Sequence, residues 1–130
     1  MNVPENLRYT TSHEWVLMEK NTASVGITDF AQDQLSALSY IELPSVGDTF
    51  TAGEQVAVVE SVKAASDVYA PVTGTVVEVN EELEAEPGRL NSDPYGKGWL
   101  FKVQPVNLAD VDQLLSASAY RAVMPGDGST

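Results

Sequence analysis

The stretch from Gln55 to Asn80 has to double back on itself, and that requirement constrains the fold more than any other feature of the chain. Gln55 to Val59 reads as a strand, Asp67 to Ala70 as another and Thr73 to Asn80 as a third. Val62-Lys63-Ala64 must then form a tight reversal. It contains no Gly, Asn, Asp or Pro, the residues a two-residue hairpin normally uses. A turn without turn chemistry marks a place where function competes with local preference. Its one charged residue is Lys63. A primary amine on a long flexible stem, held out on a turn, suits covalent modification. From the turn alone, an ordinary surface lysine that keeps a hairpin tip soluble fits as well.

At 130 residues the chain reads as a single domain over residues 1–124, large enough for a real core, with residues 125–130 as a polar, Gly-rich tail expected to be disordered. A formal net charge of −12 argues against nucleic acid and against anionic membrane surfaces, whose phosphates would repel it. The same charge fits docking on basic partner surfaces, and equally fits plain solubility. There is no Cys, so disulfides, thiolate nucleophiles and Cys-based metal sites are excluded. Any sulfur chemistry must arrive with a cofactor. Met1 to Tyr9 lacks both an apolar signal core and an Arg/Ser-rich transit character, and no apolar run approaches the roughly 18 residues of a membrane span. The expectation is a cytoplasmic, bacterial protein; the initial Met favours this over a mature form left after mitochondrial import.

Along the chain, Tyr9 to Met18 reads as one strand and Ala23 to Ile27 as its return across a polar turn at Glu19 to Thr22. Thr28 is an N-cap with Asp29 in the first turn of a short helix to about Ser36. Tyr40 to Leu43 is a strand stopped by Pro44. In Thr73 to Asn80 the alternation puts Thr75, Val77 and Val79 on one face. Glu81 to Glu86 reads as a solvated acidic run and Pro87 to Gly98 as a long turn-rich connection. Trp99, Phe101 and Val103 alternate on one strand face, and helix follows Asn107 and returns at Tyr120 to Met124. The count of about eight short strands gives a mainly β sandwich or flattened barrel with a short internal helix and a C-terminal helix.

Little in these residues supports catalysis by the chain itself. His13 is the one His, which cannot make a metal site without a second ligand of its kind. Ser12-His13 with distant acids superficially suggests a triad, but there is no nucleophile elbow, and neither a P-loop nor a dinucleotide fingerprint is present. The weight returns to Lys63, and the chain reads as a non-enzyme.

Glu60-Ser61-Val62-Lys63-Ala64-Ala65-Ser66-Asp67-Val68-Tyr69-Ala70-Pro71-Val72-Thr73-Gly74 resembles the lipoyl-attachment region of the glycine cleavage system H-protein family. Three further blocks resemble the same family in the same order. They are Tyr9-Thr10-Thr11-Ser12-His13-Glu14-Trp15-Val16, Gly26-Ile27-Thr28-Asp29-Phe30-Ala31-Gln32 and Asn91-Ser92-Asp93-Pro94-Tyr95-Gly96-Lys97-Gly98-Trp99-Leu100. The four blocks cover most of positions 7 to 103.

The resemblance implies a lipoyl/biotinyl hammerhead fold with lipoate in amide linkage on Lys63, as N6-lipoyl-lysine. It implies a carrier that takes the aminomethyl group from glycine decarboxylase (P protein) to aminomethyltransferase (T protein) and electrons to dihydrolipoyl dehydrogenase (L protein). It further implies lipoylating enzymes as partners and a monomeric carrier. The family's cleft for the amine of the loaded arm matches Ser12, Glu14 and Asp67, an arrangement of acceptors that suits an ammonium. Glu60 matches a position tied to recognition by the lipoylating enzyme. Biotinyl carriers usually place Met on both sides of the lysine, whereas Val62 and Ala64 stand here. Lipoyl domains of 2-oxoacid dehydrogenases usually carry Asp before the lysine and lack the Ser-His-Glu-Trp and Asp-Pro-Tyr-Gly blocks.

Two segments depart from the family pattern. Leu35-Ser36-Ala37 stands where Leu-Gly-Asp is usual, which predicts a longer helix or an altered turn after it. Pro87-Gly88-Arg89-Leu90-Asn91 replaces Pro-Glu-Leu-Val-Asn in a loop. Two other roles fit the same fold: a lipoyl relay that donates lipoate to other complexes, and an unmodified acidic interaction module.

Overall fold

The computed structural model describes residues 2–124, so the tail expected over 125–130 lies outside the described residues. Among the described residues nine strands form two antiparallel sheets. The larger sheet is built from β1 (Arg8–Tyr9), β2 (Glu14–Glu19), β3 (Thr22–Ile27), β5 (Thr49–Phe50), β8 (Gly74–Val79) and β9 (Phe101–Pro105), in the spatial order β1-β2-β3-β9-β8-β5. The smaller holds β4 (Leu38–Glu42), β6 (Gln55–Ser61) and β7 (Ala65–Tyr69), in the order β4-β6-β7. Val25, Phe101, Val103 and Val76 from the larger sheet share one buried cluster with Ile41, Ala57, Val59 and Val68 from the smaller, which makes the sandwich. The mainly β expectation holds, as two sheets.

The outer face of the larger sheet is covered as well. Successive side chains of β2 alternate between faces, so Val16 joins the core between the sheets while Trp15 joins a second cluster with Tyr9 and Tyr120. The lid over that cluster is α5 (Ala117–Val123), which follows the short α4 (Ala109–Asp112) and is capped by the Ser116 hydroxyl, which accepts from the Ala119 N–H at 3.2 Å. Tyr120 stacks on Tyr9 with ring centroids 4.7 Å apart.

Several sequence readings are corrected. Tyr9 to Met18 is not one strand: the chain turns at Thr10 to His13, with His13 at φ +73° and its N–H donating to the Thr10 carbonyl at 3.2 Å. The Pro87 to Gly98 connection contains α3 (Gly88–Ser92), and the acidic run contains α2 (Glu82–Ala85). Each helix buries one leucine, Leu83 and Leu90, in the main core. Val77 does not share a face with Thr75 and Val79 by simple alternation. A bulge lies between Val76 and Glu78, which pair with the consecutive residues Val103 and Lys102. Trp99 precedes β9 and packs against the second cluster, while Phe101 and Val103 belong to the first.

Thr28 caps α1 (Asp29–Leu35) as expected, accepting from the Ala31 N–H at 3.3 Å. The helix is not lengthened by the loss of the usual glycine. Ser36 ends it at φ +68°, ψ −162°, a backbone region that is almost reserved for glycine. Asn91 of α3 holds this turn: its Oδ1 accepts from the Leu38 N–H, and its Nδ2 donates to the Ser36 carbonyl and to Gln32 Oε1, each at 2.9 Å.

Candidate functional site

Lys63 sits at the tip of the β6–β7 hairpin. The last registered pair of that ladder is Glu60 with Ala65, leaving Ser61 to Ala64 to close the turn. Neither Val62 nor Lys63 has positive φ, so the turn is not one of the glycine-dependent hairpin types. The Ser61 hydroxyl takes over instead. It accepts from the Lys63 and Ala64 N–H groups, both at 3.2 Å, while the Ser61 N–H donates to the Ala64 carbonyl at 2.8 Å. Val62 is fully exposed, and Lys63 and Ala64 are exposed beside it. Glu60 is half-buried next to fully buried Val59, so alternation puts it on the sheet face away from the core.

Glu14 is the opposite kind of residue, a carboxylate with 1% of its surface exposed. The left-handed turn at His13 brings Thr10 and Ser12 back onto it. Both hydroxyls donate to Glu14 Oε1 at 2.5 Å. The Tyr69 N–H, at the end of β7, donates to Oε2 at 3.0 Å. A carboxylate offers about four acceptor positions; three are filled, and the one left open is on Oε2. Burial pushes the Glu14 carboxyl above the usual carboxylate range, and the bonds from Ser12, Thr10 and Tyr69 pull it part of the way back. An incoming cation would oppose the effect of burial, so the site suits a donor that carries positive charge.

Beside this carboxylate lies a cavity of about 130 Å³. Ile27, Phe30 and Val59 give it apolar walls, and Ser12, Glu14 and Asp67 its polar lining. A second, more open cavity of about 370 Å³ shares Ser12 and Glu14 and adds Thr10 and Tyr69. Ser66 and Asp67 line the first cavity three and four residues from Lys63, so the strand rise sets roughly 10–13 Å from the tip to the cavity. His13 also lines this cavity. Its Nδ1 lies 2.7 Å from the Tyr120 hydroxyl, which is 2.8 Å from Thr28 Oγ1, and burial lowers its pKa below the ordinary histidine value.

Thus Ser12 and Glu14 are in direct contact and Asp67 shares their cavity from the edge strand, while Lys63 and Glu60 lie apart at the hairpin. Sequence reasoning missed Thr10, the Tyr69 N–H and the structural part of Ser61. Thr10 carried no separate signal, since its hydroxyl reaches the Glu14 carboxylate only because the strand breaks at Thr10 to His13. The Tyr69 N–H carried none, because backbone groups are blind to sequence.

Comparison with known proteins bears on this arrangement. The family described as glycine cleavage H-protein matches residues 7–126. The chain belongs to the glycine cleavage H-protein family. It is 57% identical over 122 residues to the glycine cleavage system H protein of Acinetobacter baumannii, covering 94% of this chain and 98% of that one. It is 52% identical over 127 residues to that of Thermus thermophilus, covering 98% and 99%. The crystal structure of a glycine cleavage system H protein from Mycobacterium marinum superposes with a TM-score of 0.86 at 40% identity, over 92% of this chain and 97% of that one. Family membership makes the chain a lipoyl-bearing carrier subunit of glycine cleavage, not a catalyst, and one that works with the other components of that system. Among the described residues no helix is long and apolar enough to cross a membrane.

Proposed function

We propose that Lys63 bears lipoate in amide linkage and that Ser12, Glu14 and Asp67 form the cleft that shelters the amine of the aminomethyl cargo between partners. The partners are glycine decarboxylase, aminomethyltransferase, dihydrolipoyl dehydrogenase and the enzymes that attach lipoate, the last of which meet Glu60 beside the tip. The reading takes residues 1–124 as one monomeric carrier domain, and its bacterial relatives support a cytoplasmic setting.

One observation carries it: β7 leads from the exposed Lys63 turn to the Tyr69 N–H that binds buried Glu14, with an apolar cavity alongside. The residues fit the group. An exposed primary amine suits acylation, and a cavity with apolar walls and an open carboxylate acceptor suits an apolar arm that ends in an amine. Lipoate supplies a dithiolane, the sulfur that this Cys-free chain lacks. The protein's own part is mechanical and electrostatic. Lys63 presents the attachment point clear of the sandwich. Glu14 Oε2 keeps an acceptor open, Ser12 and Thr10 hold the other oxygen still, and Ile27, Phe30 and Val59 keep water from the cargo.

Reconstitution with the three partner enzymes tests the reading. Glycine-dependent ammonia release that requires this chain is the expected result. None, with every partner active in a control, would sink the shuttle.

A further inference from the structure

The hairpin tip poses a problem that the carrier role does not by itself resolve. In a two-residue hairpin closed by Ser61 and Ala64, the Ala64 N–H would ordinarily return to the Ser61 carbonyl, and central residues at positive φ would allow it. Here those residues are not at positive φ, and the Ala64 N–H goes to the Ser61 side chain. The same oxygen takes the Lys63 N–H and also lies 3.3 Å from the Ala64 carbonyl, to which the hydroxyl donates. One side chain therefore ties both amides that flank the Lys63 Cα. Apart from the backbone bond from the Ser61 N–H to the Ala64 carbonyl, the described residues supply no other hydrogen bond across the tip, and Val62, Lys63 and Ala64 are exposed and outside both apolar clusters.

We propose that Ser61 is the positioning residue that presents Lys63 for acylation, by fixing the turn backbone through its hydroxyl. The inference rests on the reading of Lys63 as the lipoyl-bearing lysine. The reaction served is attack by the deprotonated Lys63 Nζ on the carbonyl carbon of a lipoyl adenylate. The C–N bond forms, the C–O bond to the phosphate breaks, AMP leaves with that electron pair, and the amine's proton passes to solvent. Ser61 touches none of these atoms. It lowers the cost of ordering the tip in the enzyme's grip, a term that appears in binding of the protein substrate. A turn made this way admits a lysine and a valine at its centre, whereas an Asn-Gly turn would displace the lysine itself.

The test is steady-state acylation of the full chain by a lipoate–protein ligase with lipoate and ATP, comparing wild type, Ser61→Ala and Ser61→Thr by intact mass. Ser61→Ala should lower kcat/KM for the protein substrate about tenfold, mostly through KM, with an unchanged thermal midpoint. Ser61→Thr, which keeps the hydroxyl, should return to within about twofold of wild type. Amide exchange at Lys63 and Ala64 should quicken in Ser61→Ala alone, a readout independent of the enzyme. Wild-type kinetics in Ser61→Ala, or an equal defect in Ser61→Thr, would overturn the role of Ser61 and leave Lys63 standing. A wild-type chain that takes no lipoyl group on Lys63 would overturn both.

Discussion

The Lys63 tip and the Glu14 cleft are joined by one strand, β7, and are built on opposite principles. At the tip Val62, Lys63 and Ala64 are exposed, Val62 fully, and the Ser61 hydroxyl holds the turn. At the cleft a carboxylate is 1% exposed and held by two hydroxyls and a backbone amide. The tip contributes almost nothing to the core, so its residues are free to serve a partner. The cleft carries a charge that burial disfavours, so its residues are constrained by the electrostatics they create. On the proposed reading the carrier uses both: Lys63 as an attachment point that partners can reach, and the cleft as a retreat in which the cargo meets fixed acceptors.

Lys63→Arg breaks the tip most completely. It should abolish glycine-dependent turnover in the reconstituted system while leaving denaturant stability within about 0.5 kcal/mol, as for an exposed residue. A large loss of stability would mean that the tip is tied to the core after all. Gly26→Ala attacks the buried side instead. A Cβ there would lie 2.6 Å from the Trp15 indole nitrogen, and that nitrogen donates to the Pro94 carbonyl at 2.9 Å. Urea unfolding should show a loss of about 1–3 kcal/mol from overpacking, with Trp fluorescence shifted and acylation of Lys63 unaffected.

Glu14→Gln sharpens the contrast by removing charge and keeping shape. Spontaneous ammonia release from the loaded protein, with partners absent, should rise about tenfold, since a charged acceptor becomes a neutral one. The pH dependence has a definite sign. Burial raises the folded-state pKa of Glu14 above its ordinary value of 4.5, so the unfolded chain gives up this proton first. Glu14 therefore favours the fold below about 4.5, and that contribution fades as pH rises through the raised folded value. Melts from pH 4 to 8 should show the Gln variant gaining on wild type across that window; a constant gap would mean that Glu14 is not shifted upward. Smallest is Ser36→Gly, which touches neither region. Relief of a backbone conformation that suits glycine should stabilise the chain by about 1 kcal/mol, net of the entropy glycine adds to the unfolded state.

Legibility in the sequence follows the same division. The hairpin around Lys63 could be read because strand content on both sides forces a reversal, and Thr28 could be read because a threonine before an acidic first turn has one common use. The break after Tyr9 could not. Thr10 to His13 contains no Gly, Asn or Pro, and the turn is stabilised by the hydroxyl–carboxylate contacts it creates, which exist only once the fold is formed. The helix at Gly88–Ser92 was hidden behind Pro87 and Gly88, which read as turn residues although proline also opens helices. The bulge at Val77 leaves no mark in a valine-rich strand. Of the cleft, family resemblance pointed to Ser12, Glu14 and Asp67; the surroundings that give Glu14 its character come from the His13 turn and from the Tyr69 N–H at the end of β7, which only the fold brings together.

The most direct measurement is intact mass spectrometry of the protein from its native host, with peptide mapping across Lys63. A mass increment of one lipoyl group, mapped to Lys63 and absent from Lys63→Arg, is the expected result. An unmodified Lys63 in lipoate-replete cells would contradict the carrier reading and leave an acidic interaction module in its place.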